Sequence, residues 1–364
     1  MDVELEIALR RKRGQVRLDY TLRAEELDRS FQSPAFVEDP NVFHERITSM
    51  VERFHQGLGP AGEPVLKEEI GRRLRTLGQD LYRDLLPLAM RRTWWRLHGD
   101  VTTLMIRSEE PWIPWELLVP VDDETRTSAD HLAATCGLTR WLRGPTPPPR
   151  TLEPGPILLL AAAAGDQGPV LTATEGERAA LAALAGRLGV ELIELDHPNV
   201  DDVEAAILDG RPGIIHASAH GAFETGSPDE SALIVGGRRP FRPSDLAGDL
   251  RQTLRRDRPL IFFNACHVGR QGWSLTRLGG WARNLLEGGS VFLAPIWTVR
   301  DTLASLFAAV FYRRLGEGEA LGTAALAARQ ATRAEDADLP TWLAYQVSGH
   351  PAARLRPAAG ASEA

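Results

Sequence analysis

The chain has 364 residues, 43% of them hydrophobic, and a net charge of −7, so it is long enough for one large domain or two smaller ones. Acidic and basic residues are interspersed, and no apolar run approaches the length of a membrane helix, which argues against nucleic-acid binding and a membrane anchor. The two cysteines, Cys136 and Cys266, are far apart and fit neither a disulfide framework nor a common zinc motif, which favours a reducing cytoplasm.

The first part of the sequence is predicted to combine strands and helices. Its apolar residues first alternate with polar ones, as in a hairpin, and then recur every three or four positions, as in amphipathic helices. The predicted elements are strands at 3–12 and 15–24, helices at 41–58 and 67–97, and a strand at 101–108.

A proline-rich segment, RGPTPPPRTLEPGP at residues 143–156, divides the chain. Its prolines exclude a helix or a central strand, so a boundary is predicted here between an amino-terminal region, 1–150, and a second region, 151–356. The last residues, 357–364, are small and polar and are predicted to form a flexible tail.

After the linker, continuous apolar segments alternate with amphipathic ones. This pattern predicts a parallel sheet covered by helices on both faces, and in such folds the functional groups gather at the carboxyl edge of the strands. The predicted strands are at 155–164, 190–196, 213–221, 259–266 and 290–297; the predicted helices are at 174–188, 201–210, 243–254, 274–288 and 301–334, with a small hairpin at 231–237.

Two of these strands end in residues that can carry chemistry. GIIHASAHG ends at His220 and Gly221, and PLIFFNAC ends at Cys266, so neighbouring positions in the sheet would bring the thiol and the imidazole together. A thiolate can attack a carbonyl carbon while the imidazole protonates the departing amine. Because Gly221 has no Cβ, its amide can approach the reacting carbonyl closely, and the amide of Cys266 would be the second oxyanion donor.

Simpler interpretations exist for the same residues. A strand-end cysteine is often a core residue, and we interpret Cys136 as a core thiol without a role. His216, four positions before His220, is predicted to be a hydrogen-bonded core residue. A zinc site made of His220, Cys266 and His267 would have three ligands at best, without the usual spacing.

Several separated segments resemble one protein family. IPWELL, HASAHG, FNAC, LLEGGSVFLAPIWTVRDTLASLFAAVFYRRLGEG and WLAYQVSGHP occur in order between residues 111 and 351, and together they resemble the CHAT family of caspase-like cysteine peptidases, relatives of separase. The resemblance implies a three-layer α/β/α sandwich with a mostly parallel sheet, whose catalytic domain spans 151–356. It also implies that His220 and Cys266 are the catalytic pair and that Gly221 helps to form the oxyanion hole.

The amino-terminal α/β region would then be an inactive, pseudo-caspase-like half that supports the catalytic one. Trp112 and Trp115 of the IPWELL segment are accordingly interpreted as structural. The sequence departs from the family pattern at Asn264, His267 and Arg300, which leaves the catalytic groups in place but changes the charge near the substrate pocket.

The loop PIWTVRD follows the strand after the cysteine strand and should flank Cys266. Asp301 is a candidate for binding a basic substrate side chain and Trp297 for an apolar wall, while Asp301 could instead only stabilise the start of the following helix. The insertion at 224–242 follows the histidine directly, so Glu224 and Asp229 are the next candidates for substrate binding.

The resemblance implies a cytoplasmic cysteine endopeptidase that needs no metal or organic cofactor. Its partners would be one or a few protein substrates and a separate sensor or activator protein, in a bacterial defence or regulated cell-death system, with proteolytic activation at Arg238–Arg239 or Arg255–Arg256. The first alternative is an inactive caspase-like scaffold that binds proteins. A nucleotide-binding domain is the second, although LLLAAAAGDQG lacks the glycine-rich turn of that fold.

Overall fold

The computed structural model describes residues 1–12, 15–36, 39–110, 112–162, 174–222, 230–237, 239–265, 272–274 and 277–357. The strands of these segments are β1 (Asp2–Lys12), β2 (Gln15–Ala24), β3 (Leu27–Gln32), β4 (Thr103–Ser108), β5 (Gly137–Leu142), β6 (Thr151–Leu152), β7 (Ile157–Ala161), β8 (Leu192–Asp196), β9 (Ile214–Ser218), β10 (His220–Ala222), β11 (Ala232–Ile234), β12 (Leu260–Asn264), β13 (Gly272–Ser274), β14 (Arg277–Gly279), β15 (Val291–Pro295), β16 (Tyr345–Ser348) and β17 (Arg354–Leu355). The helices are α1 (Pro40–His55), α2 (Lys67–Leu85), α3 (Leu88–Leu97), α4 (Leu132–Thr135), α5 (Thr174–Leu188), α6 (Val200–Gly210), α7 (Gly248–Asp257), α8 (Trp281–Glu287), α9 (Asp301–Gly316) and α10 (Leu321–Glu335).

Eleven strands form one sheet in the order β3-β2-β1-β4-β5-β16-β15-β12-β9-β7-β8. Two blocks of parallel strands make up most of it. One block is β1, β4, β5 and β16, and the other is β15, β12, β9, β7 and β8. The blocks meet at the antiparallel pair of β15 and β16, so their strands run in opposite directions.

Apolar side chains on both faces of the second block explain why it is buried between helices. In β7, for example, Ile157 and Leu159 point into one core while Leu158 and Leu160 point into another. Helices α5, α9 and α10 supply the first core, and α6, α7 and α8 supply the second. The predicted α/β fold with a mostly parallel sheet between two helical layers is confirmed.

The two regions on either side of the proline-rich linker share this sheet. Strand β5 of the amino-terminal region pairs with β16, which comes from the end of the chain, and β6 pairs with β17 in a separate small sheet. The sheet therefore continues across the predicted boundary at residue 150. No helix in the described segments has the length and apolar character needed to cross a membrane.

Several predicted elements differ in the structure, among them the strand predicted at 213–221, which is two strands, β9 and β10, in different sheets. The helix predicted at 67–97 is two helices, α2 and α3, because Pro87 has no amide hydrogen to continue the first. The helix predicted at 274–288 starts only at Trp281, after Gly280 with a φ of 102°, and the short strands β13 and β14 precede it. The helix predicted at 243–254 is a short turn followed by α7.

Strand β3 was not predicted, since its residues lack a clear alternation of apolar side chains. It lies at the edge of the sheet, where most of its side chains are exposed. Trp112 and Trp115 are buried in the core next to the aromatic rings of Phe36 and Tyr20, as expected for structural residues.

Candidate active site

The predicted meeting of two strand ends is present in the structure. β9 and β12 are neighbouring parallel strands, with Ser218 opposite Asn264 in the register. Just beyond them, the amide of Ala219 donates to the carbonyl oxygen of Asn264 over 3.5 Å. His220 follows within the described residues, whereas Cys266 lies outside them, one position after Ala265. The structure therefore shows the two strand ends side by side and describes one member of the predicted pair.

His220 and Gly221 start the short strand β10, which pairs with β11. Leu233, the partner of Gly221 in this hairpin, exchanges both backbone hydrogen bonds with Phe241 on its other side. Since the N–H and C=O of one strand residue point to the same side, the amide of Gly221 points away from β11. Both His220 and Gly221 are partly exposed, so the imidazole and this amide lie where a substrate could reach them.

Beneath the strand ends lies a buried polar network centred on Glu177 of α5. One carboxylate oxygen, Oε2, is 2.7 Å from Nε2 of His216 in β9, and the other, Oε1, accepts a hydrogen bond of 2.6 Å from Nδ2 of Asn264 in β12. The hydroxyl of Tyr312 is 2.9 Å from Nδ1 of His216, and the hydroxyl of Tyr345 donates to Oδ1 of Asn264 over 2.8 Å. The carboxylate thus connects the two strands that end at the candidate site.

Each ring nitrogen of His216 has a hydrogen-bonding partner in this network. If Nε2 of His216 carries the proton, it donates to Glu177, and Nδ1 accepts from the hydroxyl of Tyr312. Burial, reinforced by the nearby charge of Glu177, raises the pKa of Tyr312 well above its usual value, so the hydroxyl keeps its proton. His216 is fully buried, which confirms its interpretation as a hydrogen-bonded core residue.

The loop between β15 and α9 leaves the same edge of the sheet, on the other side of β12. Asp301 is the first residue of α9 and is partly exposed; the N-cap position is that of Arg300, whose side chain makes no capping bond. An acidic residue in this first turn is favourable for the helix dipole, so both predicted roles of Asp301 fit its position. Trp297 is only 1% exposed and its indole N–H donates to the carbonyl oxygen of Pro340, so its ring faces the core.

The remaining predicted substrate residues, Glu224 and Asp229, lie outside the described residues. Cys136 is buried, as expected for a core thiol, and its Sγ is 3.5 Å from the carbonyl oxygen of Leu132. Burial raises the pKa of this thiol to about 11, so it is protonated and unreactive at neutral pH.

Glu177 was missed in the sequence although a signal was present. It shares a helical face with Leu181, Leu184 and Leu188, all of which are buried. A glutamate at the first position of an apolar stripe must have a buried partner, because an isolated buried carboxylate is costly. Its partners are 39 and 87 positions away in the sequence, and the helical pattern says nothing about them.

Comparison with known proteins identifies a family and related folds. A family model described as "CHAT domain" matches residues 74–350. The chain has no significant match among curated protein sequences. The Arg-specific cysteine proteinase gingipain R (RgpB) of Porphyromonas gingivalis is 13% identical with a TM-score of 0.51, and the match covers 88% of this chain and 80% of that one.

A second similar structure is that of separase from Saccharomyces cerevisiae in its complex with securin. It is 9% identical with a TM-score of 0.56, and the match covers 98% of this chain but 30% of the separase chain. This chain therefore spans about a third of the length of separase. At such identities the likeness establishes the fold, which is the α/β sandwich of caspase-like cysteine peptidases.

Proposed function

Because the chain belongs to the CHAT domain family and has the fold of caspase-like cysteine peptidases, we propose that it is a cysteine endopeptidase. Cys266 is the nucleophile and His220 the general acid and base. The observation that supports this assignment most is the register of β9 and β12, in which Ser218 lies opposite Asn264. His220 and Cys266 each follow two positions later in the sequence, at the edge where α/β folds carry their functional groups.

In the proposed reaction the thiolate of Cys266 attacks the carbonyl carbon of the scissile peptide bond. A C–S bond forms, and the carbonyl oxygen becomes an oxyanion that accepts hydrogen bonds from the amides of Gly221 and Cys266. The C–N bond then breaks while His220 gives its proton to the leaving amine. Water then attacks the thioester carbon and passes a proton to His220, so that a C–O bond forms. The C–S bond breaks, which releases the carboxylic acid and restores the thiolate of Cys266.

The direction of the Gly221 amide supports its role in this scheme. The hairpin of β10 and β11 does not use that N–H, so it can donate to a substrate oxygen without breaking a strand pair. The absence of a Cβ also leaves room for the substrate backbone.

We further propose that the enzyme acts in the cytoplasm on one or a few protein targets and cleaves them after a basic residue, most favourably arginine. The carboxylate of Asp301 would bind the guanidinium in a bidentate manner, with Glu224 and Asp229 as further candidates. A related fold is that of gingipain R, which is described as Arg-specific. Trp297 would support the pocket from within the core.

Activity would be controlled by a separate sensor or activator protein or by processing, within a bacterial defence or regulated cell-death system. Separase, which shares the fold, was crystallised with its partner securin. Of the two predicted processing sites, Arg238–Arg239 is the better candidate because Arg255 and Arg256 lie inside helix α7. Peptidases cut exposed, non-helical segments most readily.

The decisive experiment is mass spectrometry of a proteome-derived peptide library after incubation with the purified protein. We expect cleavage after arginine, a loss of at least about a thousandfold in Cys266→Ala and in His220→Ala, and no loss in Cys136→Ala. Preference for leucine or aspartate before the cut would reject the basic pocket. Cleavage by Cys266→Ala would reject the nucleophile, and an intact protein that binds but never cleaves a partner would indicate the inactive scaffold.

A further inference from the structure

The loop at residues 296–300, which carries the proposed substrate-binding segment, is held from one side by the turn Pro340–Leu343. The indole N–H of Trp297 donates to the carbonyl oxygen of Pro340 over 3.1 Å. The amide of Arg300 donates to Oγ1 of Thr341 over 3.3 Å. Both contacts come from the same predicted region as the loop, residues 151–356.

Another contact comes from the amino-terminal region, 246 positions away in the sequence. The amide of Thr298 donates to Oε1 of Glu52, in the last turn of α1, over 2.8 Å. A hydrogen bond from an amide to a carboxylate is stronger than one between neutral groups. Val51 and Phe54, on either side of Glu52, are buried in the core, so the carboxylate projects from a helix that is fixed in place.

The charges around this contact also join the two regions. Arg300 lies 3.7 Å from Asp336, which Lys67 at the start of α2 contacts over 2.8 Å. His55 is the last residue of α1, and burial lowers the pKa of its imidazole. The charge of Glu52 acts in the opposite direction, while that of Arg300 lowers the pKa further. The end of α1 therefore contacts the loop directly, and the start of α2 is linked to it through Asp336.

From this arrangement we infer that Glu52 is a positioning residue for the substrate-binding loop. By holding the amide of Thr298, it sets the direction in which the chain reaches Asp301, three positions later. Substrate selectivity then depends on a side chain of the region that was expected only to support the catalytic half. The inference rests on the proposed peptidase function, since it assigns a role in substrate binding.

The experiment compares Glu52→Ala and Glu52→Gln with wild type. Glu68→Ala is the control, since Glu68 is an exposed glutamate in the first turn of α2. Hydrogen exchange is measured by mass spectrometry on peptides that span residues 296–301. In parallel, kcat and KM are measured on peptides with arginine or leucine before the scissile bond.

In Glu52→Ala we expect exchange in the loop to be about tenfold faster, and KM for the arginine peptide to rise about tenfold with a smaller change in kcat. Glu52→Gln keeps an acceptor oxygen and should restore most of both properties, while Glu68→Ala should match wild type. This rescue separates positioning from a general loss of structure.

Two kinds of failure can be told apart. If wild type cleaves the peptides, and Glu52→Ala equals it in both loop exchange and selectivity, the role of Glu52 is rejected. If Glu52→Ala does not fold, Glu52→Asp takes its place, because its carboxylate is one methylene too short to keep the hydrogen bond. If this variant folds, and its loop exchange and its preference between the arginine and leucine peptides equal those of wild type, the role of Glu52 is also rejected. If wild type cleaves neither peptide nor any protein substrate, the peptidase proposal fails, and the substrate-binding role of Glu52 fails with it.

Discussion

A buried carboxylate, that of Glu177, holds one side chain from each strand that ends at the candidate site. His216 and Asn264 both donate to it, and each lies a few positions before a proposed catalytic residue. Glu177 is only 2% exposed, so water cannot replace it as an acceptor. Its contribution is therefore to the position and stability of the two strand ends.

Replacing Glu177 with alanine should lower the free energy of unfolding by about 2–6 kcal/mol, because two buried donors lose their acceptor at about 1–3 kcal/mol each. Urea denaturation followed by circular dichroism measures the change. Glu175→Ala is the control, since this side chain on the same helix is 84% exposed, and its effect should stay within about 0.5 kcal/mol. Equal stability of the two variants would contradict the importance of the network.

At the scale of elements, helix α10 lies unusually close to strand β5. A Cβ atom on Gly137 of β5 would come within 2.9 Å of the carbonyl carbon of Gly322 in α10. The atoms that this Cβ would meet all belong to the backbone of Gly322, which cannot rotate away as a flexible side chain can. The contact joins a strand of the amino-terminal region to a helix that follows the proline-rich linker in the sequence.

Gly137→Ala should therefore destabilise the protein by about 1–3 kcal/mol, the usual cost of overpacking, because helix and strand must move apart. Thermal unfolding at constant pH is the measurement. In Gly144→Ala the added methyl group meets no atom within 4 Å among the described residues, so its melting temperature should be close to that of wild type. A melting temperature for Gly137→Ala that equals the value for Gly144→Ala would show that the helix and strand adjust freely.

For the whole molecule, the important feature is that residues on both sides of the linker build one sheet. β16, from the end of the chain, lies between β5 and β15. Arg329 of α10 is fully buried and donates to the carbonyl oxygens of Leu138 in β5 and Tyr345 in β16, over 3.2 and 2.9 Å. Without the amino-terminal region this guanidinium would lose a buried partner, and β16 would become an exposed edge.

We therefore expect residues 151–364 expressed alone to lack a cooperative unfolding transition and to aggregate through the exposed edge. Co-expression with residues 1–150 as a separate chain should restore a complex that copurifies and melts cooperatively, because the linker itself contributes little to the sheet. Differential scanning calorimetry and size-exclusion chromatography provide the readout. A monomeric 151–364 fragment with a sharp transition would instead establish two independently folding domains.

Local patterns in the sequence were sufficient for a large part of this structure. Continuous apolar strands predicted the parallel sheet, and the strand ends before His220 and Cys266 were predicted to be neighbours, as β9 and β12 are. Strand periodicity and the special properties of glycine and proline act over a few residues, so they can be recognised without the rest of the chain. The helix break at Pro87 is also a local feature of this kind. The apolar pattern typical of a helix continues on both sides of Pro87, which is why one long helix was predicted.

Tertiary structure decided which distant residues meet. Glu177 and Asn264 are 87 positions apart and Glu52 and Thr298 are 246 apart, yet each pair shares a hydrogen bond. Periodicity tells whether a side chain is buried, but the partner of a buried or half-buried carboxylate depends on how helices pack across the sheet. For the same reason the sequence placed a boundary at the prolines, while the order of the strands joined both sides into one sheet, since strand pairing is a property of the folded chain.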